Sequence, residues 1–195
     1  QPDEPTELQA EAFFFTLDSS RAESFPDMVQ GAVRVDILGR TMVNLLSQYA
    51  GAFEQLARSG CDIRLLLVDP MSEACKFLYG SSTEIYRSNI AATVSQLKRL
   101  KRVCGTQLQV KVIQHAPTSS IVVVEKPDLQ RSFIQVQLYF LHRAVVWDRS
   151  VCRVSHGDKW YGVFQKEFIQ LWSDGEEWNE ARQEVAGPGE QGSDG

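Results

Sequence analysis

The amino-acid sequence predicts an α/β domain in which a mixed, mostly parallel sheet carries helices on both faces. Two observations favour this fold class. Segments typical of strands and helices follow one another in the order β-α-β-α-β-β-β-α, and 43% of the 195 residues are apolar, enough for a sizeable core. We expect one domain over residues 11–178, with flexible ends at 1–10 and 179–195, because both ends are too polar to bury a core of their own.

The first half of the chain contributes two strands and two helices to this prediction. They are, in order, a strand at 32–38, a helix at 41–60, a strand at 63–68 and a helix at 81–105. In both helices apolar side chains recur every three or four residues, and Gly60 and Gly105 are placed to end them. The second helix opens with the capping-box pattern of Ser81 and Glu84. The strand at 63–68 is almost entirely apolar, as in strands that helices cover on both faces.

The second half contributes three strands and a final helix. Apolar and polar residues alternate at 108–112, an apolar run follows at 121–124, and alternation returns at 132–140. The last of these segments is typical of a half-buried strand with an antiparallel partner. The final helix carries its large apolar side chains on one face, which we expect to pack against the sheet: Tyr161, Phe164, Phe168, Leu171 and Trp172.

Composition excludes several functional classes for the chain as a whole. The net charge is −5, so no overall positive field attracts nucleic acid or an acidic membrane, and such binding would need a local patch. The four cysteines lie far apart, without metal-ligand spacing, and indicate buried thiols in a reducing compartment. The apolar run at 12–17 is too short to span a bilayer and follows acidic residues. We therefore expect a cytoplasmic protein with no metal, no cofactor and no membrane partner, whose chain began earlier.

The strand TSSIVVVEKP, residues 118–127, is the part of the sequence that resembles a catalytic motif. Together with the segments at 25–46, 60–70 and 164–172, it is similar to one half of the phospholipase D superfamily over residues 25–175. Active members of that superfamily carry the motif HxKxxxxD. In this sequence Thr118 stands at the histidine position, Ser120 at the lysine position and Glu125 at the aspartate position.

The resemblance implies a phospholipase D-like half-domain without the family's hydrolase activity. The family uses the imidazole to attack phosphorus, the lysine to bind the phosphoryl oxygens and the carboxylate to orient the imidazole. Thr118 offers a hydroxyl of high pKa without an evident base, Ser120 offers no charge, and only the carboxylate remains, as Glu125. The small polar positions of the family's next strand correspond to Gln135, Gln137 and Tyr139, which are bulkier than the motif expects.

The sequence thus predicts a catalytically inactive module with a sensing, regulatory or assembly role in a larger protein. Active relatives join two halves, so one half implies a homodimer or a missing second half. We expect any ligand, such as a small phosphorylated molecule or a nucleotide, above Thr118, Ser120, Glu125, Gln135 and Gln137. An anion is disfavoured at that place, because the lysine is gone and Glu125 repels negative charge.

Two other functions stay open. The first is a divergent phosphodiesterase or nuclease that uses His115 or Lys126, although His115 is more simply a strand-end residue beside Pro117.

Asp69, at the carboxyl end of a central strand, could also face a ligand, but a turn aspartate is the simpler interpretation.

The second open function is nucleic-acid binding. Its candidate residues are a basic cluster and an aromatic pair: Lys98, Arg99, Lys101 and Arg102, with Trp160 and Tyr161. The simpler interpretation is that the cluster is a solvated helix face near a helix C-terminus and that the aromatic residues belong to the core.

Overall fold

The computed structural model describes residues 14–16, 23–79, 83–139 and 150–179. The N-terminal end predicted to be flexible, almost all of the C-terminal end, and the capping residue Ser81 lie outside these ranges. The strands are β1 (Phe14–Thr16), β2 (Arg34–Gly39), β3 (Asp62–Val68), β4 (Leu108–Ile113), β5 (Ser119–Glu125), β6 (Phe133–Leu138), β7 (Ser150–Ser155) and β8 (Glu176–Glu177). The helices are α1 (Phe25–Val29), α2 (Val43–Gln48), α3 (Ala50–Arg58), α4 (Glu73–Tyr79), α5 (Thr83–Cys104) and α6 (Lys159–Asp174).

All of these strands form one mixed sheet in the order β1-β7-β6-β5-β2-β3-β4-β8. The mixed α/β class is confirmed, but the expectation of a mostly parallel sheet is wrong. Within the described residues β2, β3 and β4 are parallel, and the other five of seven neighbouring pairs are antiparallel. The reason is the link at 114–118, which contains no helix. A link without a crossover helix cannot carry the chain back to the end of the sheet where β4 begins, so β5 starts where β4 ends and runs antiparallel to β2.

Helices cover both faces of the sheet, as the apolar patterns predict. Helices α1, α2, α3 and α5 pack on one face, where Phe53, Leu46 and Leu97 are fully buried against β2, β3 and β4. Helix α6 packs on the other face through the predicted stripe, in which Tyr161 and Phe168 are the most deeply buried. Both faces of the central strands are therefore removed from water, which accounts for their nearly continuous apolar sequence.

The long helix α5 ends where the sequence indicates, but one predicted helix is divided, and the short helices α1 and α4 were not predicted. Helix α5 ends before Gly105, whose φ of 57° lies in the left-handed region that glycine adopts without strain. The segment at 41–60, predicted as one helix, is divided at Tyr49 into α2 and α3. Tyr49 has φ −118° and ψ 23°, outside the helical region, so the helix is interrupted at this residue. None of the helices in the described ranges is long and apolar enough to cross a membrane.

Candidate ligand-binding cleft

A cavity of about 680 Å³ opens between α1, α2 and the strands β5 and β6. It lies on the face of the sheet that carries α2, α3 and α5. Those helices lie over the parallel strands β2 to β4, whereas the neighbouring antiparallel strands carry fewer helical contacts on this face within the described residues. The order of strands in the sheet therefore leaves room for a cleft beside β2.

The floor of the cleft consists of polar side chains on two paired strands. Ser120 of β5 lies opposite Gln137 of β6, and Val122 lies opposite Gln135, so all four side chains point to the same face. We call Ser120, Gln135 and Gln137 the polar floor. Amide and hydroxyl groups can both donate and accept hydrogen bonds, so this floor suits a neutral or charged polar ligand.

One wall of the cleft is the loop that joins β2 to α2. Its residue Met42 has φ 54°, a left-handed conformation that is strained for a residue with a side chain. Two hydrogen bonds hold the loop in place: the Arg40 carbonyl accepts from Val68 N at 3.1 Å, and the Thr41 carbonyl accepts from Thr93 Oγ1 at 3.2 Å. The wall is thus fixed by β3 and α5 before any ligand arrives.

Arg40 supplies positive charge to this wall. Its guanidinium lies 4.0 Å from the centre of the Tyr139 ring, and its Nε donates to the Pro117 carbonyl at 3.4 Å. The Tyr139 hydroxyl accepts a hydrogen bond from the backbone N of Arg40 at 3.4 Å. Both residues line the cavity, so a cation and an aromatic ring stand beside the polar floor.

The facing wall begins just before α1. Glu23 and Ser24 contribute polar groups there, while the buried side chains of Phe25 and Met28 contribute apolar surface to the same wall. Phe25 packs against Tyr49 at a ring distance of 5.4 Å and so ties α1 to the helices α2 and α3. The cleft therefore combines an apolar interior with a limited number of polar groups, as small-molecule sites do.

The structure brings together three of the five predicted site residues, namely the polar floor. Thr118 is exposed just before β5, and the described lining of the cleft does not include it. Glu125 lies on the opposite face of the sheet, where its carboxylate contacts Arg34 Nη1 and Gln165 Nε2, each at 3.5 Å. Glu125 is five positions after Ser120, and an odd offset along a strand puts two side chains on opposite faces. The ligand-binding role of these residues stays a prediction.

The two residues considered for a divergent enzyme lie at opposite ends of β5. His115 is exposed in the link between β4 and β5. The Lys126 amino group donates to the carbonyls of Met28, at 3.2 Å, and of Gln30, and so caps the C-terminal end of α1. Burial lowers the pKa of Lys126, and nearby Arg131 lowers it further. Among the described residues no group of three or more His, Cys, Asp or Glu side chains could hold a metal ion.

The residues considered for nucleic-acid binding make contacts within the domain. Arg99 pairs with Glu54 at 2.9 Å, and the Lys101 amino group lies 5.9 Å from the centre of the Trp178 ring. Arg102 Nε donates to the Lys98 carbonyl at 3.3 Å. These contacts are typical of a solvated helix face.

The aromatic pair is divided between surface and core. Trp160 is 54% exposed, whereas Tyr161 is only 5% exposed, with its ring 5.1 Å from that of His156. The two rings therefore do not form one stacking surface. Asp69 is confirmed as a turn residue, since its Oδ1 accepts from Met71 N at 2.9 Å and its Oδ2 accepts from Gln114 Nε2 at 3.1 Å.

The sequence analysis missed Arg40 and Glu23 as parts of the site. Arg40 could have been found, because it directly follows Gly39 at the carboxyl end of a parallel strand, where open α/β sheets bind ligands. Glu23 precedes a short helix that no periodic pattern indicates, and only the fold places it beside β6.

Comparison with known proteins gives a family but no function. The family described as "Domain of unknown function (DUF5919)" matches residues 17–178. No curated protein sequence matches the chain.

Two solved structures are similar at low identity. TrmBL2, an archaeal chromatin protein whose structure shows a mode of DNA binding, is 11% identical over 78% of this chain, with a TM-score of 0.48. The chain spans about half of that protein, 48% of its length. Nuc, a phospholipase D family member from Salmonella typhimurium, is 9% identical, with a TM-score of 0.44 over 78% of this chain and 86% of that one. Neither likeness is close enough to argue function, and the phospholipase D-like half-domain stays a prediction.

Proposed function

The chain belongs to the DUF5919 family of domains of unknown function, and we propose that it is a non-catalytic module that binds a small polar ligand in the cleft. In this proposal the domain is the sensing or regulatory part of a larger cytoplasmic protein. The polar floor of Ser120, Gln135 and Gln137 is the observation that carries the proposal. Its cavity of about 680 Å³ lies within the range of small-molecule sites, roughly 300–1,000 Å³.

We propose that the domain is not catalytic because the three motif positions, Thr118, Ser120 and Glu125, do not meet at one place in the fold. Ser120 reaches the cleft, Thr118 lies outside its described lining, and Glu125 lies on the other face of the sheet. A nucleophile, a cation and an orienting carboxylate must meet at one phosphate for the family's reaction. The described lining contains neither histidine nor lysine, and its carboxylate, Glu23, is paired with Arg153.

The position of Glu125 also changes the expected charge of the ligand. The sequence suggested that Glu125 would repel an anion, but its carboxylate contacts Arg34 on the opposite face. Arg40 lines the cleft instead. A phosphorylated molecule or a nucleotide therefore fits the site better than the sequence alone indicated, because a guanidinium can bind phosphate oxygens.

A ligand screen tests this proposal directly. We expect a nucleotide or phosphorylated metabolite to raise the melting temperature of the wild type and to bind in calorimetry. Gln137→Ala should weaken that binding about fivefold, the effect of one lost hydrogen bond. Gln109→Ala is the matched control, since Gln109 is a strand glutamine outside the cleft. Equal affinity in both variants would place the ligand elsewhere and contradict the proposal.

Hydrolysis assays test the enzymatic alternative. We expect no cleavage of a generic phosphodiester, DNA or RNA by the wild type, with or without a chelator. Cleavage that a Thr118→Ala/Ser120→Ala/Glu125→Ala variant loses would refute the non-catalytic proposal. A mutant His115→Ala that loses cleavage instead would identify the divergent enzyme.

Pairing of two copies is the assembly part of the proposal. It follows from the resemblance to half of a two-part enzyme. The measurement is the mass in solution at micromolar concentration. A dimer would support the pairing of two copies, and a monomer would contradict it and leave a missing second half as the alternative, without affecting the ligand site.

A further inference from the structure

A second arginine, Arg153 on β7, lies outside the described lining of the cleft but contacts two residues of that lining, Glu23 and Gln135. It pairs in register with Gln135, whereas Arg40 contacts Tyr139, four residues further along the chain. The polar floor therefore lies between two guanidinium groups. Arg40 belongs to the fixed loop after β2, whereas Arg153 lies on a strand and contacts both a strand of the sheet and a carboxylate.

Residues of β6 hold the Arg153 guanidinium in one orientation. It lies 4.4 Å from the centre of the Phe133 ring, and its Nη2 donates to Gln135 Oε1 at 3.1 Å. Its Nε is buried and has no hydrogen-bond partner among the described residues. Stacking on a ring and a bond to an amide leave Nη1 as the group that faces a further acceptor.

That acceptor is Glu23, from the opposite wall. Arg153 Nη1 donates to Glu23 Oε2 at 3.0 Å, and the side chains of the two residues are 29% and 40% exposed. Because Glu23 lines the cavity, the place of its carboxylate is open to the cleft. Phe25 and Met28 anchor the following helix in the core, so the Glu23 side chain can turn away without moving α1.

We propose that Glu23 occupies, in the free domain, the position that an anionic group of the ligand takes on binding. Arg153 is then the residue that selects a carboxylate or phosphate group, and Glu23 is its internal competitor. This inference rests on the proposed function of the cleft and adds the class of ligand to it.

The Glu23–Arg153 pair is weak enough for a ligand anion to replace the Glu23 carboxylate. A half-exposed ion pair of this kind contributes little to stability, about 1 kcal/mol or less, so a ligand anion can replace it at small cost. Carboxylate and phosphate oxygens both match the N–H groups of a guanidinium, and the stacked ring keeps that guanidinium in place after Glu23 leaves.

Anion binding to single variants tests the exchange. The probes are sodium phosphate and sodium acetate, compared with sodium chloride at equal ionic strength, in calorimetry and thermal unfolding. We expect Glu23→Gln to bind at least one of the two anions about fivefold more tightly than the wild type, since the competing charge is gone. Arg153→Gln should lose this binding. The two probes show whether the site prefers phosphate or carboxylate.

A second ion pair of the same composition provides the control. Glu54 and Arg99 lie 2.9 Å apart on α3 and α5, outside the cleft. Glu54→Gln and Arg99→Gln should bind the anions as the wild type does. If they change binding as much as the cleft variants do, the effect is one of net charge and the inference is wrong.

Other outcomes separate this inference from the proposed function. Unchanged anion affinity in Glu23→Gln, or wild-type affinity in Arg153→Gln, overturns the exchange. So does the failure of both anions to bind Glu23→Gln. If a neutral ligand still binds in a way that depends on Gln137, the cleft function stands without the role of Arg153.

Discussion

Among single residues, the buried ion pair between Asp36 and Arg64 is a feature on which stability depends strongly, because a buried carboxylate needs a partner. Asp36 on β2 is 3% exposed and receives two hydrogen bonds from Arg64 on β3, one of them Nε to Oδ1 at 2.6 Å. Arg64 also lies 5.3 Å from the ring centres of both Phe168 and Trp172. Burial raises the pKa of Asp36, and the Arg64 guanidinium opposes that rise.

We expect Arg64→Ala to lower the free energy of unfolding by about 3 kcal/mol, because it leaves a buried carboxylate without its partner. Urea unfolding monitored by circular dichroism measures this change. Arg99→Ala, which breaks an exposed pair, should cost about 1 kcal/mol or less. Similar losses in the two variants would show that the Asp36 carboxylate tolerates burial alone.

At the scale of elements, the short helix α1 depends on contacts from outside itself. It has five residues, too few for a stable helix in isolation, and its Ser24 cap accepts a hydrogen bond from Asp27 N at 3.4 Å. At its other end the Lys126 amino group binds the carbonyls of Met28 and Gln30. Because residues of α1 line the cleft, this lysine connects the β5–β6 hairpin to one wall of the cleft.

Replacement of Lys126 by methionine should therefore loosen α1 without disturbing the sheet. We expect faster amide hydrogen exchange in residues 25–30 and a loss of about 1–2 kcal/mol in stability, since a charged hydrogen bond to two carbonyls disappears. Lys76→Met is the control, because Lys76 pairs with Glu73 on an exposed surface. Exchange in α1 that stays at the wild-type rate would mean that Phe25 and Met28 alone hold this helix.

At the scale of the whole molecule, the four cysteines couple stability to alkaline pH. All four are free, and Cys61, Cys75 and Cys104 are buried. Burial raises the pKa of Cys61 and of Cys75 from 9.0 to about 11, and nearby Asp62 and Asp69 respectively add to these shifts. The folded state therefore holds these protons more tightly than the unfolded chain does.

Stability should accordingly be constant with respect to these thiols below pH 9 and fall as the pH rises through about 11. Chemical unfolding at pH 8, 9 and 10 measures the trend. In a Cys61→Ala/Cys75→Ala variant, the drop in unfolding free energy from pH 8 to pH 10 should be smaller than the same drop in the wild type. An unfolding free energy that rises over this range would contradict burial of the two thiols. Tyr161, whose pKa burial also raises, contributes in the same direction.

The accuracy of the sequence-based interpretation differed between fold and site. Helix α5 and the packing face of α6 were predictable, because periodic apolar residues must be buried wherever the helix docks. The direction of β5 was not, because it depends on which edge of the sheet the link at 114–118 leaves. The resemblance pointed to Gln135 and Gln137 as candidate ligand residues on one strand, whereas Glu23 and Arg153, which meet across 130 residues of chain, share no local pattern.

The amino-acid sequence alone specifies the α/β class, the positions of the main helices and strands, and the absence of histidine and lysine at positions 118 and 120. These follow from local spacing and residue type. The opposite faces of Ser120 and Glu125 already follow from their odd spacing along β5, whereas the meeting of Arg40, Glu23 and Arg153 around the polar floor depends on how distant strands pair. The physical reason is that a binding site is a set of contacts between distant segments, and the pairing of strands, which creates those contacts, is not encoded in any one segment.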